Sequence, residues 1–123
     1  MDKYKETFGV DISKDVFDVY SSEGGHSQFK NDSSGFKLFV RTLAVDSLVV
    51  MEATGYYHYR LAQFLYKNGI PVSVVNPLSV KRFIQMKLSK IKTDKSDAKA
   101  ICHYGLSNEV ALYTALNDVQ AEC

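Results

Sequence analysis

Four consecutive apolar residues, Leu48-Val49-Val50-Met51, run straight into Glu52-Ala53-Thr54-Gly55. A short apolar run without alternation reads as a central strand buried on both faces, and such a strand needs covering layers on two sides of its sheet. With 123 residues, 46% of them hydrophobic, the chain can bury one core of ordinary size and is too short for two full domains. The expectation is therefore a single layered α/β domain in which Glu52 sits at a strand's C-terminal end.

The segments before this run alternate differently. Positions 7–11 and 16–21 read as strands separated by Ile12-Ser13-Lys14-Asp15, and Glu23-Gly24-Gly25-His26 turns the chain into a third strand near 27–30. Asn31-Asp32-Ser33-Ser34-Gly35 supplies cap and turn residues ahead of Phe36, Leu38, Phe39, Val40 and Leu43, whose spacing fits a helix with one buried face. After Glu52, the residues Tyr57, Leu61, Phe64 and Leu65 recur at helical spacing and are expected in the core. Asn68-Gly69 stops that helix, and 71–75 gives another apolar strand, expected parallel to the run 48–51. Asn76-Pro77 opens a helix to about residue 86, and a last helix is expected over 94–104, ending before Gly105. Three antiparallel strands, a helix and two parallel strands, with further helices behind, is the order of a ribonuclease H-like fold: a mixed five-stranded sheet with helices on both faces. In that order the first strand lies beside the fourth, which would make Asp11 and Glu52 neighbours.

Charge says little in total and more in its distribution. Fifteen basic and fourteen acidic residues nearly cancel to +1. Between positions 81 and 99, however, Lys81, Arg82, Lys87, Lys90, Lys92, Lys95 and Lys99 are met only by Asp94 and Asp97. Such a run is commonly a solvated face, but beside a carboxylate site it suits phosphate contacts. The charged start Met1-Asp2-Lys3-Tyr4-Lys5-Glu6 does not resemble a secretory signal and no apolar run approaches membrane-spanning length, so a cytoplasmic protein is expected. Cys102 and Cys123 have no metal-ligand spacing, and Cys102 falls on the apolar side of its helix. His26, His58 and His103 lie in separate segments, which gives zinc no support.

The acids carry the chemistry. Asp94 and Asp97 project from one helical face, while Asp11 and Glu52 each follow an apolar strand. Carboxylates converging from three segments suit a hard divalent cation such as magnesium, and through it phosphoryl transfer. Each acid also has a structural explanation. Asp94 could cap its helix and Asp97 could favour the first turn, Asp11 could form a turn with Ser13, and Glu52 could pair with a lysine. Asp15, Asp18 and Asp46 are expected away from the site edge and without a role. Tyr56 and Tyr59 are candidates for stacking on bases.

Read together, Gly9-Val10-Asp11-Ile12-Ser13-Lys14, Val50-Met51-Glu52-Ala53-Thr54-Gly55-Tyr56-Tyr57, Val75-Asn76-Pro77 and Lys92-Thr93-Asp94-Lys95-Ser96-Asp97-Ala98 resemble the N-terminal DEDD domain of insertion sequence 110 family transposases, which include pilin-gene invertases. The resemblance runs from about residue 7 to 105. It implies a RuvC-like domain over 1–105 with Asp11, Glu52, Asp94 and Asp97 as catalytic ligands of magnesium or manganese. Lys14 and the seven basic residues of 81–99 would contact nucleic acid, and 106–123 would begin a linker or helical segment. DNA is the implied substrate. A structured guide RNA serves some members, and the full-length protein is expected to be a homo-oligomer. The family's second domain contributes a nucleophilic serine that has no counterpart here, so this sequence is expected to hold half of a composite site. The alternative is a non-catalytic RNA- or DNA-binding module of the same fold. An actin-like ATPase is disfavoured, because Ile12-Ser13-Lys14 lacks the glycine a phosphate-binding hairpin needs.

Overall fold

A computed structural model of the chain describes residues 4–23, 25–43, 46–53, 57–87, 97–107 and 112. Its elements follow the expected order. Strands β1 (Glu6–Ile12), β2 (Val16–Ser21) and β3 (Gly25–Lys30) form the meander, and α1 (Ser33–Thr42) follows. Then come β4 (Ser47–Glu52), α2 (Tyr59–Lys67), β5 (Val72–Val75), α3 (Pro77–Lys87) and α4 (Asp97–Ser107). The five strands make one sheet in the order β3-β2-β1-β4-β5. β1 pairs antiparallel with β2 and parallel with β4, so the chain has the mixed α/β sheet of the ribonuclease H-like fold. Among the described residues no helix is long and apolar enough to cross a membrane.

The two sheet faces are built from different residues. On one, Phe8, Val10, Ile12, Phe17, Val19, Val49, Met51 and Val72 meet Phe36 and Phe39 of α1 and Leu61, Ala62 and Leu65 of α2. Phe17 is the hub of this layer: it stacks on Phe29 at 5.5 Å and meets Phe39 edge-on at 5.5 Å. On the other face Leu48, Val50 and Val75 pack with Val80 of α3 and Ile101 of α4. β4 is buried on both sides, as its unbroken apolar run requires.

Local chemistry sets the helix ends. The Asp32 carboxylate accepts hydrogen bonds from the Gly35 N–H (2.9 Å) and the Ser34 hydroxyl (2.8 Å), capping α1. Those two bonds, the Gly35 one foremost, hold its pKa below the ordinary value. Gly69, at φ 76°, takes the left-handed conformation that ends α2.

Three expectations need correction. Tyr57 is 46% exposed and precedes α2 rather than joining the core, because the helix begins two residues later. Leu38 points outward from α1. Gly105 does not end α4, which continues to Ser107. A Cβ at Gly105 would lie 2.7 Å from the Val50 side chain, so this glycine lets the helix approach β4 closely. Of the helix expected from residue 94, the described part is α4, Asp97–Ser107, and Asp94 lies outside the described residues.

Candidate functional site

α4 lies across β1 and reaches β2 and β4. What permits this is Gly9, where an added Cβ would stand 2.1 Å from the Ala98 carbonyl oxygen and 2.3 Å from the Cys102 nitrogen. No side chain fits between strand and helix there. The Cys102 Sγ lies 3.3 Å from the Thr7 carbonyl oxygen, and burial pushes this thiol up to about 11. Cys102 is thus a fully buried packing residue, as its position in the sequence suggested.

Alternation along β1 places Thr7, Gly9 and Asp11 on the face beneath α4. The helix backbone at Ala98 overlies Gly9, two residues from Asp11 along the strand. α4 therefore starts, at Asp97, over the strand end that carries Asp11. The Asp97 carboxylate itself is not among the described side chains.

Register supplies the other acids. β1 and β4 pair in parallel through Val10 and Met51, so Asp11 and Glu52 follow as the next residues of adjacent strands. Glu52 in turn pairs with Val75 of β5. Asp11 pairs with Asp18 on β2, and Asp18 with Gln28 on β3. One row therefore crosses the whole sheet on the α4 side: Gln28, Asp18, Asp11, Glu52 and Val75. Asp11, Asp18 and Glu52 are all partly exposed.

Asp18 was expected away from this edge, and the register overturns that. The pairing of Ile12 with Phe17 encloses an even number of residues, so odd positions of β1 share a face with even positions of β2. Like charges facing each other across strands are unfavourable unless other partners offset them. The Gln28 amide nitrogen donates to Asp18 Oδ1 at 2.8 Å. The length of the hairpin connection was the one signal that could have revealed this neighbour. Asp15 lies in that connection and Asp46, at φ 67°, precedes β4 at the opposite end of the sheet.

The basic residues divide into two groups. Lys81 and Arg82 lie on the exposed face of α3 between the exposed side chains of Leu78 and Met86. That helix begins just after β5, beside the strand end bearing Glu52. Lys99 lies on the other flank of α4, its Nζ 5.7 Å from the centre of the Tyr20 ring. Lys14 is exposed in the β1–β2 connection just beyond Asp11. Lys90, Lys92, Lys95 and Tyr56 lie outside the described residues, as does the Lys87 side chain. Tyr59 is 43% exposed, and its hydroxyl accepts a hydrogen bond from Gln63.

The acids offer oxygen ligands only, a set suited to hard divalent cations rather than zinc. Among the described residues, no three histidine, cysteine, aspartate or glutamate side chains stand close enough to hold a metal ion. The side chains of Asp94 and Asp97 lie outside the described ones.

A DEDD-type model of insertion sequence 110, described as "Transposase", matches residues 8–122. A pilin gene-inverting protein of Moraxella lacunata and one of Moraxella bovis are each 28% identical over 123 residues, covering 93% of this chain. The chain spans 38% of the length of these curated relatives.

Proposed function

Since the chain belongs to the insertion sequence 110 family of DEDD transposases, we propose that it is the acid-bearing part of a recombinase that cuts and rejoins DNA. The reading rests on one observation above all: Asp11 and Glu52 come from separate segments, end up on adjacent strand ends, and face the start of α4. In this reading Asp11, Glu52, Asp94 and Asp97 hold magnesium or manganese. The metal, when bound, polarises the scissile phosphate and stabilises the leaving oxygen.

The chain's own residues have the task of holding and guiding. Strands β1 and β4 fix two carboxylates on a rigid sheet, and α4 brings the third segment to them. Lys14, Lys81, Arg82 and Lys99, together with Lys87, Lys90, Lys92 and Lys95, take up DNA phosphates around the acids. The proposed catalytic unit spans 1–105, with 106–123 as the start of a linker or helical segment, and acts in the cytoplasm. Strand rejoining further needs the family's serine-bearing domain, which makes the active site composite. A guide RNA and homo-oligomeric assembly belong to the same family-level reading.

Manganese titrated into isotope-labelled protein tests the metal assignment through paramagnetic broadening of backbone NMR signals. Joint broadening at Asp11, Glu52 and Asp97 is expected, and Glu52→Gln should abolish it while leaving the thermal melt unchanged. In a recombination assay of the full-length protein the same substitution should eliminate product. Broadening that survives Glu52→Gln, or recombination that does, would overturn the assignment. Salt-dependent nucleic-acid binding with no broadening at any of these positions would favour the non-catalytic module.

A further inference from the structure

α4 leaves part of its sheet face open. On the side beyond β1, the register places Tyr20 opposite His26, Asp18 opposite Gln28 and Val16 opposite Lys30, all facing the same way as Gly9 and Asp11. His26, Gln28 and Lys30 are exposed. Along the inner wall of this strip, Lys99 and His103 are one helical turn apart on α4 and both lean onto Tyr20. The Lys99 Nζ is 5.7 Å from the ring centre, and the His103 ring is 6.4 Å away and tilted by 33°.

We propose that this strip, between the flank of α4 and the β3 edge, seats a single strand of DNA and leads it to the acid row. The proposal rests on the family reading for its choice of DNA and on the geometry for the seat. The exposed His26 ring, with the partly exposed Tyr20 and His103 rings that pack on each other, gives bases an aromatic surface to stack on without regard to sequence, and Lys30 together with Lys99, beside Tyr20, supplies cations for phosphates. Strands lie about 4.8 Å apart, so a strip two strands wide measures roughly 10 Å. That matches the footprint of one nucleic-acid strand. Rings that stack on bases favour a single strand, whose bases are free to leave one another, over a duplex, whose bases are already stacked and paired.

Polarity runs along the strip. Tyr20 and His26 lie two residues, about 7 Å, along the strands from Asp18 and Gln28. A strand held at the aromatic end would therefore reach the carboxylates within a very short span. Lys81 and Arg82 sit on the far side of α4 and are not part of this seat; they remain for other phosphates.

Fluorescence anisotropy of a short labelled oligothymidylate, measured on this chain in EDTA, tests the proposal. Chelation keeps the readout independent of metal, so a failure of the catalytic assignment leaves this measurement intact, and the reverse holds too. Tyr20→Leu should weaken binding by about tenfold, whereas Tyr20→Phe, which keeps the ring, should bind like wild type. Lys99→Gln should lower affinity and reduce the salt slope by about one. His26→Ala, at an exposed position, should weaken binding without altering the melt and covers the case in which Tyr20→Leu fails to fold. Absence of wild-type binding would overturn the proposal. So would affinities unchanged in Lys99→Gln and His26→Ala, or tighter binding of duplex DNA or of oligouridylate at the same residues.

Discussion

The two faces of the sheet solve different problems. Against α1 and α2 it presents large apolar side chains, and the phenylalanines there meet one another at centroid distances of 5.4–6.1 Å. Against α4 it presents Thr7, Gly9 and Asp11, and the helix comes down almost onto the strand backbone. The first face stabilises through buried apolar area. The second gives up side-chain volume for closeness, which brings a helix start within reach of strand-end carboxylates. The lesson is that one strand, β1, can serve both ends at once because its alternation assigns even residues to storage of stability and odd residues to placement of chemistry.

The contrast can be broken from either side. Phe17→Ala should have the largest effect on stability, about 4 kcal/mol, since it empties the centre of the aromatic layer. Urea denaturation would measure it, and backbone signals of α4 should hardly move; a large shift there would show that the faces are not independent. Gly9→Ala should cost somewhat less, about 3 kcal/mol, yet displace α4 because the new methyl has no room. Its mark is a change in α4 chemical shifts, with any manganese response at Asp11 altered. An unperturbed α4 would mean the close approach is not what positions the helix.

Cys102 gives the smallest and most pH-specific test. Its thiol is raised from 9.0 to about 11 by burial, so the folded state disfavours the thiolate. The associated stability is fully present below pH 9, where the unfolded thiol is also protonated, and is lost as pH rises from 9 through 11. The loss should approach about 2 kcal/mol. Cys102→Ala should remove that alkaline dependence, and parallel melting curves for both proteins across this range would refute the assignment.

Much of the candidate site is legible in the sequence alone. Asp11 and Glu52 stand at the ends of apolar runs, and the change from strand to helix periodicity fixed the element order that makes their strands adjacent. Helix limits were less legible. Gly105 looked like a terminator, because sequence alone cannot distinguish a glycine that ends a helix from one that lets it touch Val50. Tyr57 matched the apolar spacing of α2 and yet precedes the helix, since periodicity does not mark where the first turn begins.

By itself, then, the sequence determined the strand and helix succession, the doubly buried β4 and the acids at strand ends, because hydrophobic periodicity and turn chemistry are local properties. Only the tertiary structure decided that Asp18 faces Asp11, that Gly9 carries α4 on its bare backbone, and that Tyr20, His103 and Lys99 gather beside an open strip of sheet. Those outcomes depend on hairpin register and on the path of a helix across strands, which are set by hydrogen bonds and packing between segments distant in the chain.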